Sequence, residues 1–284
     1  IRDVRDLAAE MAFYQAWGSS GRIIKVLDQL DKELAERYGS YASYATEVDP
    51  VLINTVGDSP SGEVDRLVNI FSGPERCVLD LGCGAGQTLC RLAPMVKAIW
   101  GFDQNNDLLT AARLRKEQLA LSNVTLILGN VAIFDDVAHL PDNTFDIVLS
   151  RRGPNINENI MPKLKSDAVV IQELYQDPLG LKEIFGRQPF LPKVGTDPHG
   201  LINQYNWLGL LPISAKDYFY EQYFRDADHL ASYLKLGGIL GHWRMPNAPY
   251  DATRDLAALK LYERYNLTPA GIRLMGHSKV YLFR

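Results

Sequence analysis

The residues best able to do chemistry stand together in "VLDLGCGAGQT", Val78 to Thr88. An apolar run ends in an aspartate, and a turn spaced Asp80-x-Gly82-x-Gly84-x-Gly86 follows. A glycine-rich turn between a strand and a helix lets the backbone approach a nucleotide-like ligand closely. NAD, FAD, a nucleoside triphosphate and S-adenosylmethionine are all open at this point. The dinucleotide fingerprint G-x-G-x-x-G places its third glycine one residue later than it falls here. Downstream features narrow the choice. Asp103 closes "WGFD", where a carboxylate can accept hydrogen bonds from both ribose hydroxyls. "LGN", Leu128 to Asn130, closes the next run, where a polar side chain and a backbone N–H can read an adenine edge. "LPDNTFDIVLS" then brings a fourth run to the same edge. An adenosine without a pyrophosphate accounts for all of these features.

Those residues need a scaffold, and from Cys77 the chain repeats strand, turn and helix. "CVLDL", "AIWGFD", "VTLILGN", "FDIVLS" and "AVVIQEL" read as strands, with helical segments such as "NDLLTAARLRKEQLA" between them. Apolar strands alternating with helices predict a parallel sheet covered on both faces. Upstream, residues 1 to about 37 read as two helices broken at "GSSG". Tyr38, Tyr41 and Tyr44 follow, as core packing or as pocket lining, and "GDSPSGEVDRLVNI" supplies a loop and a helix with Ser61 as N-cap. Beyond residue 178, "LINQYNWLGL" and "DADHLASYLK" look helical, while "DYFYEQYF" and "SKVYLFR" look like strands.

The motifs "VLDLGCGAG" and "FDIVLS", in this order, resemble those of the class I S-adenosylmethionine-dependent methyltransferases over about Cys77 to Glu173. The resemblance implies a Rossmann-like α/β fold, a seven-stranded, mostly parallel sheet with its last strand antiparallel. "DYFYEQYF" and "SKVYLFR" fit the final pair. Residues 1–74 are expected to form a helical N-terminal cap or lid, and 75–284 the methyltransferase domain with an insert at about 178–255. The resemblance assigns S-adenosyl-L-methionine as cofactor and S-adenosyl-L-homocysteine as product. Asp80 and the loop of Gly82, Cys83, Gly84 and Gly86 should hold the methionine part and Asp103 the ribose. Gln104 should lie beside the adenine, Asn130 and Val131 at its amino edge, and Ser150 near the sulfonium.

Two departures bear on function. Asn130 stands where the family usually has Asp, which shifts adenine recognition toward the Val131 N–H. "SRRGPN" after the fourth run is not the "NPPY" type associated with amino-group methylation of bases, which argues against an adenine N6 or glutamine methyltransferase. Arg151 and Arg152 are candidates for an anionic acceptor, with a surface salt bridge as the alternative. Asn155, Asn157, Gln172 and Glu173 lie in the same loops. His139, His229, His242 and His277 could act as bases, but none has a sequence context that marks it as catalytic.

Composition bounds the rest. With 284 residues, 46% hydrophobic and 23% charged, the chain can bury a large core. A net charge of -4 and no long Lys/Arg block lower the expectation of a nucleic-acid partner. Three cysteines, Cys77, Cys83 and Cys90, favour a reduced cytoplasmic setting over a disulfide framework, and no second Cys/His cluster completes a metal site. No apolar run approaches a membrane span, and the first residues lack a signal-peptide pattern. The expectation is a methyltransferase acting on a small anionic or aromatic molecule. An RNA methyltransferase, a non-catalytic S-adenosylmethionine-binding module and an NAD-dependent oxidoreductase are the alternatives.

Overall fold

In a computed structural model of the chain, the described residues are 51–56, 60–179, 198–236 and 251–284. The expected helices of residues 1–37, Tyr38 to Tyr44 and His242 lie outside them. The described strands are β1 (Val51–Val56), β2 (Cys77–Leu81), β3 (Ala98–Asp103), β4 (Val124–Leu128), β5 (Phe145–Arg151) and β6 (Leu164–Leu179), followed by β7 (Pro212–Phe224), β8 (Leu267–Thr268) and β9 (Gly271–Phe283). The helices are α1 (Pro60–Phe71), α2 (Gln87–Leu92), α3 (Asn106–Gln118), α4 (Phe134–Val137), α5 (Pro198–Trp207), α6 (Ala227–Leu236) and α7 (Ala252–Asn266).

Every residue of β2 is buried, and β5 is buried up to Ser150, which explains why neither shows an alternation of apolar and polar residues. α1 covers one face with Val64, Leu67 and Val68, at helical spacing, beside Leu89, Ile147 and Ile171. The opposite face packs Leu79, Phe145 and Val170 under Tyr205 of α5. A third cluster seats α6 and α7 on Phe224, Ile272 and Leu274.

The sheet order is β1-β7-β9-β6-β5-β2-β3-β4, with β8 paired to β9. Strands β2 to β6 run parallel to one another, and β9 runs antiparallel between β6 and β7. The expected mostly parallel sheet with an antiparallel last strand is therefore present, with nine strands among the described residues where seven were expected. One member of the sheet was not read from the sequence. β1, in the expected helical cap, joins the sheet as an antiparallel edge strand on β7. β7, which contains "DYFYEQYF" and lies within the residues assigned to the insert, pairs with β9 as the expected final pair.

The strands differ in height. β5 ends at Arg151, opposite Glu173, but β6 continues from Leu174 to Leu179. At about 3.3 Å per residue this raises β6 by about 20 Å. β9 and β7 rise beside it, with Gln176 opposite His277 and His277 opposite Phe219. A wall thus stands over one side of the carboxyl edge.

Candidate cofactor and acceptor site

The glycine turn leaves β2 at the centre of the carboxyl edge. Gly82, Gly84 and Gly86 all have positive φ, and Gly86 is the N-cap of α2. Gly82 is held by close packing: a Cβ there would come 2.9 Å from the Gly153 Cα. Gly84 differs, because a Cβ would meet nothing within 4 Å. The space above Gly84 is open, while its φ of 55° still favours glycine.

Asp103 ends β3 beside this space. Its Oδ2 accepts the Gly84 N–H at 2.8 Å, and its Oδ1 accepts the Asn105 N–H at 2.8 Å. Each oxygen keeps a further lone pair, so ribose hydroxyls could still be accepted. Gln104 is exposed next to it.

Asp80 lies beneath the turn, 3% exposed. Burial raises its pKa to about 7; the Arg151 guanidinium opposes the rise and Asp103 adds to it. Cys83 and Cys90 are buried free thiols. Desolvation pushes Cys83 far up and Cys90 up to about 12, so neither presents a thiolate nucleophile at neutral pH.

The residues expected at the adenine edge, Asn130 and Val131, lie in the β4–α4 loop. The Asn130 N–H donates to Asp136 Oδ2 at 2.8 Å, and Asn130 Oδ1 accepts the Ala132 N–H at 2.9 Å. The Val131 N–H has no hydrogen-bond partner among the described residues.

Successive residues of β5 face opposite sides of the sheet. Ser150 turns toward α5 and is fully buried; its hydroxyl donates to the Pro154 carbonyl at 2.9 Å and accepts Gln172 Nε2–H at 3.2 Å. That hydroxyl is engaged inside the protein. Arg151 turns toward α1 and donates to Thr88 Oγ1 at 2.9 Å, Ser61 Oγ at 2.8 Å and Glu173 Oε2 at 3.4 Å. Arg152 is exposed with φ 57°, and its N–H donates to the Glu173 carbonyl at 2.9 Å. The two arginines therefore have different environments. Arg151 ties β5 and β6 to two helices, whereas Arg152 reaches the surface.

A buried chain of hydrogen bonds that the sequence did not suggest holds the loop after β5. The Ile156 N–H donates to Tyr205 Oη at 2.8 Å, and the Tyr205 hydroxyl donates to Gln172 Oε1 at 2.7 Å. Gln204 Nε2–H adds a bond to the Ile156 carbonyl at 3.1 Å. Of the candidate bases, His277 stacks on Phe219 and shares a hydrogen at 2.8 Å with Asp217, on the wall. His229 accepts the Arg225 N–H at 3.0 Å, and His139 is exposed.

Residues 74–176 match the family model described as "Methyltransferase domain". Over these residues the chain carries a methyltransferase domain. A relative of this domain, the protein-L-isoaspartate O-methyltransferase of Dinoroseobacter shibae, is 29% identical over 147 residues. The match covers 49% of this chain and 65% of that protein, a little under two thirds of its length. A functionally unknown protein from Deinococcus radiodurans R1 shares the fold, with a TM-score of 0.57, 17% identity and coverage of 92% of this chain and 99% of the other. The cyclase SpnF shares it too, with a TM-score of 0.54, 16% identity and coverage of 89% and 96%. A methyltransferase-like fold alone thus does not fix the reaction. No helix among the described residues is long and apolar enough to cross a membrane.

Proposed function

We propose that the protein transfers a methyl group from S-adenosylmethionine to a small anionic acceptor. The observation that carries the reading is the cradle at the carboxyl edge. Open space above Gly84 lies next to the Asp103 carboxylate, and the adenine-side loop offers an N–H at Val131. Asp80 and the turn of Gly82, Cys83, Gly84 and Gly86 would hold the methionine part. Asp103 would hold the ribose, with Gln104 beside the adenine and Asn130 and Val131 at its edge. Ser150 would act near the sulfonium only by fixing the Pro154 loop, because its hydroxyl is already paired.

The cofactor supplies an electrophilic methyl on a good leaving group, so alignment of the acceptor can provide much of the acceleration. Arg152 is the better placed arginine for that alignment, since its planar fork suits a carboxylate or phosphate. Arg151 would act one step back, holding Glu173 and the ends of β5 and β6. The relative named as a protein-L-isoaspartate O-methyltransferase acts, by that name, on isoaspartate in a protein, which agrees with an acidic acceptor and not with a small one.

The test is methyl transfer from labelled cofactor to a panel of carboxylates, phosphates, phenols and RNA. Turnover of a carboxylate or phosphate, weakened at least about tenfold by Arg152→Ala with product-cofactor affinity unchanged, is the expected result. Turnover of RNA alone would replace the small-molecule reading with the nucleic-acid one. Binding of NAD in place of S-adenosylhomocysteine would end both.

A further inference from the structure

Two asparagines on the acceptor-side loop converge on one carbonyl of the adenine-side loop. Asn157 Nδ2–H and Asn159 Nδ2–H donate to the Val131 carbonyl at 2.9 and 3.0 Å. A carbonyl oxygen has two lone pairs, so these donors fill it. Asn157 cannot exchange its amide ends freely, because its Oδ1 accepts the Asn159 N–H at 3.2 Å and the Ile160 N–H at 3.3 Å. The peptide between Val131 and Ala132 is also held at its N–H, by Asn130 Oδ1 at 2.9 Å. Asp136 fixes the peptide before Asn130 by taking its N–H at 2.8 Å. The peptides on either side are pinned, and the Val131 N–H between them has no partner among the described residues.

We infer that Asn157 and Asn159 are positioning residues for recognition of the adenine ring. The inference rests on the placement of adenine at Val131 proposed above. An N–H at that point donates to adenine N1, which is an acceptor. Hypoxanthine carries a hydrogen on N1, so the same N–H would face a donor and lose its bond. Discrimination then depends on where the Val131 backbone is held, and the holders sit on the loop that meets the acceptor. α5 fixes that loop from its far side through Tyr205 and Gln204. The nucleobase subsite and the acceptor loop are therefore one mechanical unit.

The experiment compares S-adenosylhomocysteine with its hypoxanthine counterpart, S-inosylhomocysteine, by calorimetry on the full chain. Two variants separate positioning from folding. Asn159→Ala removes a side chain that makes no other hydrogen bond among the described residues. Asn157→Asp keeps both turn acceptors but sets a carboxylate oxygen against the Val131 carbonyl. The intact protein is expected to prefer the adenine compound by about tenfold or more. Either variant should weaken the adenine compound by about tenfold and the hypoxanthine compound by less than about twofold, shrinking the preference. An equal loss for both ligands would show mere structural support and overturn the inference. Unchanged affinities, or an intact protein that binds both compounds equally, would also overturn it. An intact protein that binds neither would instead refute the cofactor reading beneath it.

Discussion

Asp80, proposed to hold the methionine part of the cofactor, should make cofactor binding depend on pH in the direction set by its burial. Its carboxyl is buried under the glycine turn with its pKa raised to about 7, and the causes are burial, then Arg151 in opposition, then Asp103. If the carboxylate form is what receives the ammonium end of the cofactor, binding requires the proton to leave. About one Asp80 in ten is ionised at pH 6 and about nine in ten at pH 8, so affinity should rise about tenfold between them. Calorimetric titration of S-adenosylhomocysteine from pH 5.5 to 8.5 reads this directly. Arg151→Gln should move the midpoint up, because it removes the charge that favours ionisation. Asp103→Asn should move it down, and Asp80→Asn should abolish it. The unliganded fold must show the opposite trend. A carboxyl whose folded pKa exceeds its unfolded value stabilises most below the unfolded value, and that stability is lost as pH rises through the folded one. The loss is on the order of 4 kcal/mol by pH 8. Asp80→Asn should therefore make the unliganded protein more stable at pH 8 while weakening its hold on the cofactor. Affinity that is flat with pH, or Asp80→Asn that destabilises the free protein at pH 8, would refute this account.

Two further outcomes follow from buried polar groups elsewhere. Tyr205→Phe keeps the ring against Phe283 but leaves the Ile156 N–H and Gln172 Oε1 without the hydroxyl, which should cost about 2–4 kcal/mol in urea unfolding at constant m. A cost under about 0.5 kcal/mol would mean that water or repacking replaces the hydroxyl. At the amino edge, burial pushes the Asp146 carboxyl up, but the Cys77 N–H, Lys165 and Arg76 outweigh it and hold the pKa below the ordinary value. A lowered folded pKa gives stability that is present above the unfolded pKa and lost as pH falls through the folded one. Asp146→Asn should thus cost about 2 kcal/mol at pH 7, with the gap to the parent protein closing as the pH falls below the ordinary carboxylate range. A gap that persists at low pH would count against the charge.

The parts legible in the sequence were those whose signal is local. The glycine spacing, the aspartate after "WGF" and the apolar runs each lie within a few residues, and the structure places all of them along one sheet edge. β1 was hidden because "VLINTV" follows a tyrosine-rich stretch and finds its partner in β7, more than 160 residues later, with Val51 opposite Tyr223. The division of labour between Ser150 and Arg151 was hidden for a different reason. Both faces of β5 are buried, so alternation of polarity could not say which side chain meets which helix. Tyr205 and Gln204 gave no signal, since an apolar helix containing a tyrosine reads as packing. Asn157 stood out as a loop residue, but its partnership with Asn159 needed Val131, on a different strand's loop, to become visible.

The site is assembled from loops that lean on one another, and this limits which of them can vary alone. Gly82 of the glycine turn and Gly153 of the loop after β5 meet backbone to backbone. A Cβ on Gly153 would fall 2.3 Å from the Leu81 carbonyl oxygen, too close for any rotamer change to relieve. The same loop then reaches α5 through Ile156 and the adenine side through Asn157 and Asn159. The turn is joined in its other direction to Asp103 by the Gly84 N–H. The elements proposed to hold methionine, ribose, adenine and acceptor are thus linked in a continuous set of contacts. In such an arrangement a substitution that shifts the acceptor loop also shifts Val131. Cofactor affinity and acceptor selectivity should therefore change together when that loop changes, even where the altered residue touches neither ligand.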